Sequence, residues 1–200
     1  MKRMKYGDGN LYSGVARKVN FRRKIITCLT ILAVSAAVLA GCDKDDDDDG
    51  DGTGTNETDV QFVTMASMSN YAEIKAGQVA ANKAQNQGVK QFGQMMVTDH
   101  TTASTQLKTL ATQLGLQAKD SLDEAHVRLM DSLNTLSGIA FDSVYISSQV
   151  VDHQKAIALF QNQAENGRNS ELKKFAGDLL PHLEIHLHHA DSLKMSLQQQ

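Results

Sequence analysis

From Asp59 to its C-terminal end the chain meets a single proline, Pro181, and its glycines fall mainly between segments. Apolar residues in this stretch recur three and four positions apart, the spacing that lines one face of an α-helix, and no strand is evident. That pattern restricts the fold class to all-α. Asp59, a good N-cap residue, starts a first helix that runs to about Ala84 through Phe62, Ala66, Ala76 and Ala80. Asn86-Gln87-Gly88 makes a short turn. A second helix follows from Val89 through Phe92, Met96, Ala103, Leu107 and Leu110 to Leu114, where Gly115 stops it. The connection over residues 116–140 holds a short helix around residues 122–136 and a break at Gly138. A third helix takes residues 141–165 and closes at Asn166-Gly167. Ser170 caps a fourth, which continues to about Leu197 with a kink at Pro181. Four long helices, two tight hairpins and one long crossover form the connectivity of a ferritin-like four-helix bundle. Trp is absent and aromatic residues make up 5% of the chain, so Ala, Leu and Met must fill the core.

The segment ahead of this domain reads as an export and anchoring signal. Arg22, Arg23 and Lys24 precede an apolar run over residues 25–40 that ends in Leu39-Ala40-Gly41-Cys42, the layout of a lipobox. The run is shorter than the roughly 20 residues a spanning helix needs, and the lipobox at its end favours cleavage. Residues 1–41 are therefore expected to be a removed lipoprotein signal peptide and Cys42 the lipidated residue, anchored stably by several acyl chains. Residues 42–58 are rich in Asp and Gly and form an expected disordered acidic tether, leaving residues 59–197 as the helical domain. The Asp run lacks a rigid loop to hold calcium. Lys44 followed by acids resembles an export signal that places some Gram-negative lipoproteins on the cell surface. The expected location is the cell envelope, as an outer membrane lipoprotein facing the periplasm or the surface. The membrane is its partner through Cys42; the sequence identifies no protein partner.

Charge and cysteine content exclude several classes. Residues 1–42 hold eight Lys/Arg and one Asp, so of the chain's 20 Lys+Arg and 23 Asp+Glu, 12 and 22 remain, a net charge of -10. Seven of those acids lie between Asp43 and Asp51, and no basic stripe offers a nucleic-acid footprint. Cys28 lies in the removed run and Cys42 is the lipid site, so no thiol remains for a disulfide, a thiolate metal site or nucleophilic catalysis. No Ser sits in a strand–turn–helix elbow and no Gly-rich phosphate loop follows a strand.

Polar residues on the apolar stripes carry the candidate chemistry. Glu73 has Ser69 and Gly77 one turn away and Ala66 and Ala80 two turns away. His100 lies between Met96 and Ala103, His153 among Ile146, Val150, Ile157 and Phe160, and His186 among Leu179, Leu183, Ala190 and Leu193. Each long helix thus presents one possible ligand on its buried face. Glu73 and His100 both stand about 13 residues from the Asn86-Gln87 turn, so antiparallel helices bring them level. His153 stands about 12 residues before the second turn and His182 about 12 after it, with His186 one turn farther on. Either His182 or His186 can then face His153. One carboxylate and three imidazoles suit Zn, Cu or Fe. The competing arrangement is a buried polar layer in which Glu73 accepts hydrogen bonds from the histidines and sets helix register. Asp99 and Asp152 cannot orient the histidines that follow them, because adjacent helical residues point about 100° apart. Each either partners a histidine of another helix or, the favoured expectation, is solvated at the surface. Met65, Met68, Met95 and Met96 are read as core filler rather than a thioether copper site. His126 and His188 are expected to face solvent.

Several of these segments resemble one family. They are Phe62…Ala72-Glu73…Gly77, Val89-Lys90-Gln91-Phe92-Gly93-Gln94-Met95-Met96-Val97-Thr98-Asp99-His100, Gly138-Ile139-Ala140-Phe141-Asp142, Gln149…His153 and Leu180-Pro181…His186. Together they are similar to a bacterial envelope family of unknown function, usually labelled predicted outer membrane protein and placed among ferritin-like folds. The resemblance covers residues 59–195 and implies Glu73, His100, His153 and His186 as the family's positions, favouring His186 over His182. It implies fold and compartment rather than a reaction. A di-iron Glu-x-x-His pair would need Glu where Val97 and Leu183 stand, which argues against a two-iron oxidase.

The expected function is a membrane-anchored envelope lipoprotein of unidentified activity, a non-enzymatic binding module with transition-metal binding in the bundle core. The alternative is a metal-dependent redox enzyme on the same bundle.

Overall fold

The structure, a computed structural model, describes residues 52–199. The expected signal peptide, Cys42 and the acidic run to Asp51 lie outside the described residues. The order is α1 (Glu57–Lys83), α2 (Gln87–Gln113), α3 (Glu124–Thr135), α4 (Gly138–Asn166) and α5 (Ser170–Leu197), with no strand among the described residues. The pairs α1/α2 and α4/α5 form the two principal hairpins, α1 packs on α4 and α2 on α5, and α3 lies against α1 and α4. The all-α four-helix bundle with a short crossover helix is thus the observed architecture. None of these helices is long and apolar enough to cross a membrane.

The crossover is long for a geometric reason. The start of α1 meets the α4–α5 link through Asp59, and the start of α4 meets the α1–α2 turn through Asp142. Helices α1 and α4 therefore run in opposite directions, and the chain must travel the length of the bundle from the end of α2 to the start of α4.

The helix ends differ from expectation in instructive ways. Asn56, not Asp59, caps α1, and the two form a capping box: Asn56 Oδ1 accepts from Asp59 N at 2.9 Å and Asp59 Oδ2 from Asn56 N at 2.8 Å. Asp59 is wholly buried and also accepts from Gln163 Nε2 at 2.6 Å and from Arg168 N and Asn169 N at 3.1 Å. Asn169, not Ser170, caps α5. Order begins before Asp59, because Ser170 N donates to Gly52 O and the Asn169 side chain to Thr53 O. Gly138 begins α4 rather than breaking the chain; its φ of +62° lets the backbone turn from the extended Ser137 into the helix. Helix α5 runs unbroken through Pro181. The carbonyl that loses its partner belongs to Gly177, which is exposed, so water can hydrate it.

The two hairpins repeat one another. An offset of 83 residues aligns Asp59 with Asp142, Phe62 with Tyr145, the N-cap Asn86 with the N-cap Asn169, and Phe92 with Phe175. Buried positions follow the same offset: Val63 with Ile146, Val89 with Leu172, Leu107 with Ala190. The polar bonds are reciprocal too. Asp142, also wholly buried, accepts from Gln85 N at 3.1 Å and Asn86 N at 2.7 Å, as Asp59 accepts from Arg168 N and Asn169 N. The first helix of each hairpin thus ties down the turn of the other, and each buried carboxylate is satisfied by backbone N–H groups.

Within the first hairpin the backbones approach closely at two glycines. A Cβ on Gly77 would stand 2.8 Å from Gly93 O, and one on Gly93 would stand 2.9 Å from Ala81 N and Gly77 O. Two apolar clusters fill the bundle, one around Phe92, Phe141 and Tyr145, the other around Phe62, Phe160 and Phe175.

Candidate metal centre

Between the two apolar clusters lies a polar layer, and His100 of α2, His153 of α4 and His186 of α5 meet in it. One ring nitrogen from each lies within 4.8 Å of the others, and all three residues are buried. The centroids of the His100 and His153 rings are 5.7 Å apart, and those of His153 and His186 are 5.3 Å apart.

Hydrogen bonds fix which nitrogen of each ring carries its proton. His100 Nδ1 donates to Asn70 Oδ1 at 2.8 Å, His153 Nδ1 to the Gln149 carbonyl at 2.9 Å, and His186 Nε2 to Asp99 Oδ2 at 3.0 Å. Burial, chiefly, pushes all three imidazoles below their ordinary pKa, and the neighbouring rings add to the effect on His100 and His186. A neutral imidazole has one N–H, so His100 Nε2, His153 Nε2 and His186 Nδ1 carry lone pairs. These three inner nitrogens converge without a proton between them. His153 Nε2 and His186 Nδ1 stand 3.4 Å apart, and His100 Nε2 is buried with no hydrogen-bond partner among the described residues.

The arrangement fits a transition-metal ion. Nitrogens bound at about 2.0–2.1 Å around a tetrahedral or trigonal ion stand about 3.3–3.6 Å from one another, the spacing the His153–His186 pair already has. Each ring is held from behind by an oxygen acceptor, as ligating histidines are.

Glu73 is not drawn into this ring of donors. Its Oε1 is 4.0 Å from His153 Nδ1, the nitrogen that already donates to Gln149, and its Oε2 lacks a partner among the described residues. Burial, partly offset by a hydrogen bond with Gln149, raises its pKa to about 7. Glu73 therefore stands behind His153. The α1 residue that meets His100 is Asn70, one turn earlier on the same stripe. Of the two candidates on α5, His186 faces His153, while His182 lines a cleft of about 240 Å³ that reaches His100 and His186 past Asp99 and Gln106.

Two aspartates and one histidine depart from the surface role expected of them. Asp99, with its side chain 46% exposed, still bonds His186 across the bundle. Asp152 and Asp123 flank His126, with Asp123 Oδ1 at 2.8 Å from Nδ1 and Asp152 Oδ2 at 3.6 Å from Nε2, so His126 is half-buried against α4 rather than solvated.

The family DUF4142, described as a domain of unknown function, matches residues 47–193, and the chain belongs to it. No curated protein matches. Among solved structures, a DUF305 fragment from Deinococcus radiodurans is similar over 74% of this chain and 99% of its own, at 14% identity and a TM-score of 0.62. CopM in its Cu(II)-bound form is similar over 69% of this chain and 96% of its own, at 19% identity and a TM-score of 0.60. In its Cu(I)-bound form the values are 70%, 98%, 20% and 0.60. At these identities the likeness shows the fold alone, a helical bundle. The findings agree with a family of unknown function but do not carry the ferritin-like label.

Proposed function

We propose that this DUF4142 member is a membrane-anchored, non-enzymatic binding module of the cell envelope that holds a copper ion on His100, His153 and His186. One observation carries the reading: three buried imidazoles, each fixed from behind by an oxygen, direct three unshared lone pairs at a common point. Such a cluster is costly in a protein interior unless a cation occupies it. Imidazole suits both oxidation states of copper, and CopM, a bundle of the same fold, is known in Cu(II)-bound and Cu(I)-bound forms. Zinc also takes three histidines and is the competing occupant; Fe(II) favours a carboxylate in its facial set, and Glu73 stands behind His153 instead. The cleft past Asp99 and His182 gives an ion its way in.

Anchoring and location rest on the lipobox: Cys42 carries the lipid and residues 43–51 hold the domain off an outer membrane, on its periplasmic or surface face. Changing Cys42 to Ala is expected to release the protein from membranes, and continued membrane association would contradict the anchor.

The test of the metal reading is reconstitution of the full chain with Cu(II) and Zn, elemental analysis, and the same with His100→Ala and His153→Ala. Copper held by the parent and lost from both variants supports the reading. No metal in the reconstituted parent overturns it and leaves a structural or partner-binding module. The cleft reaching His100 and His186 would also admit a small oxidant, which is the one observation favouring a metal-dependent redox enzyme. Turnover of peroxide by the copper-loaded parent would decide for that alternative.

A further inference from the structure

A second cleft, of about 320 Å³, opens between α1, α3 and α4 and is lined by Met65, Met68, His126 and Asp152 among others. Neither the histidine trio nor the anchor uses it. Met65 and Met68 lie three residues apart on α1, hence on one face. Methionine usually fills cores, as the fully buried Met96 does here, yet Met65 is 55% exposed at the rim of this cleft. His126 is held from one side, since Asp123 Oδ1 takes its Nδ1 proton at 2.8 Å and also accepts from the His126 backbone N–H. Its other nitrogen, Nε2, stands 3.6 Å from Asp152 Oδ2, the outer oxygen of Asp152 pairing with Lys155 Nζ at 3.3 Å. That is again a nitrogen–oxygen spacing that two ligands of one ion adopt, with the ring oriented from behind by a carboxylate.

We propose that Met65, Met68, His126 and Asp152 form a second, more open binding site for a soft monovalent metal ion, Cu(I) or its analogue Ag(I). Thioethers select such ions over hard or divalent ones, and imidazole completes the set. The ion takes the place of the proton between His126 Nε2 and Asp152 Oδ2, which passes to solvent. Lys155 holds only the far oxygen, is largely exposed and turns outward as the ion enters. The site is separate from the trio's cleft, with which it shares no lining residue, although Asp152 adjoins His153 in sequence.

The test is Ag(I) loading of the full chain with elemental analysis, in the parent, in Met65→Leu/Met68→Leu, in His100→Ala/His153→Ala, and in the four substitutions combined. The expected stoichiometries are two, one, one and none. Leucine keeps volume and helix propensity, and unchanged helical content and thermal midpoint would confirm that the methionine variant is folded. Ag(I) should also shift the methyl signals of Met65 and Met68, and Asp123→Asn, which loosens the His126 ring without removing a ligand, should weaken that site about 10-fold. If Met65→Leu/Met68→Leu binds as many ions as the parent with the same affinity, this site does not exist, whatever the trio variant does. Loss of the second ion only in the methionine variant, with the trio variant unchanged, would sink the trio and leave this site standing.

Discussion

Asp59→Ala separates two accounts of one residue. As an N-cap, Asp59 would contribute about 1 kcal/mol, the usual cost of losing such a cap. The structure gives it a larger task. Its carboxylate accepts from Asn56 N, Gln163 Nε2, Arg168 N and Asn169 N. Removing it breaks the reciprocal half of the capping box, worth about 1 kcal/mol. It also strands the side chain of Gln163 and the backbone N–H of Asn169, both buried, at about 1–3 kcal/mol each. The Arg168 N–H, on an exposed residue, can be hydrated and adds little. The expected loss is about 3–7 kcal/mol, a large share of the stability of a domain this size. With a urea slope of about 1–3 kcal/mol per molar, the unfolding midpoint should fall by roughly 2 M or the chain should fail to fold. Asn56→Ala, which removes the cap and an exposed hydrogen bond from Asn56 Nδ2 to Asn166 O, should cost only about 1 kcal/mol. Equal, small losses for the two variants would refute the argument that Asp59 joins the hairpins.

Asp142→Ala should destabilise by the same mechanism at the opposite end of the bundle. Because the two carboxylates share no partner, the losses from Asp59→Ala and Asp142→Ala should add to within about 0.5 kcal/mol in a mild-denaturant measurement. Gly93→Ala should cost about 1–3 kcal/mol by chemical denaturation, since its Cβ would meet Ala81 N and Gly77 O at 2.9 Å; a gain would show that the helices can separate freely. The attachment of α3 should depend on pH. The Asp152 carboxylate, 3.6 Å from Nε2, foremost raises the His126 pKa, so its contribution is full below about pH 6.5 and lost as pH rises through the folded value. Burial would raise Asp123 and Asp152, but bonds from His126 outweigh it and lower both, so their contribution is present above about pH 4 and lost as pH falls through the folded values. Thermal midpoints should therefore drop between pH 5.5 and pH 8 in the parent more than in His126→Gln; equal drops would remove His126 from the account.

The sequence made the fold legible because period and punctuation agreed. Apolar residues three and four apart, Gly115 after α2 and Asn166-Gly167 after α4 marked the long helices to within a few residues. The caps were displaced because Asp59 and Ser170 are good cap residues in their own right, while Asn56 and Asn169 win through contacts far along the chain. Those same contacts made the repeat of the two hairpins hard to see. Its signal was present in the equal spacing from Asp59 to Asn86 and from Asp142 to Asn169, but the intervening ligands differ: Asn70 aligns with His153, and His100 with Leu183. For the site, the stripes pointed to Glu73, His100, His153 and either His182 or His186, and the family resemblance favoured His186; the three imidazoles do meet in the middle, while Glu73 stands behind His153. Equal counting from the turn pointed to His182; Gly167 and Asn169 are both extended, so the link consumes residues without helical rise and the match shifts one turn to His186. Asn70 and Asp99 were legible only as polar residues near a stripe, because which ring each would hold depends on how α1, α2 and α5 pack. His126 looked solvated because its partners, Asp123 and Asp152, come from outside its own helix or from a cap.

The central claim is that His100, His153 and His186 bind copper through their inner nitrogens. The most direct measurement is Cu(II) titration of the Met65→Leu/Met68→Leu chain followed by electron paramagnetic resonance. The account predicts one equivalent of bound copper with imidazole nitrogen couplings, lost on His153→Ala and altered by Asp99→Asn, which disturbs only the partner of His186. Copper that fails to bind, or a bound-copper spectrum indifferent to His153→Ala, would contradict it.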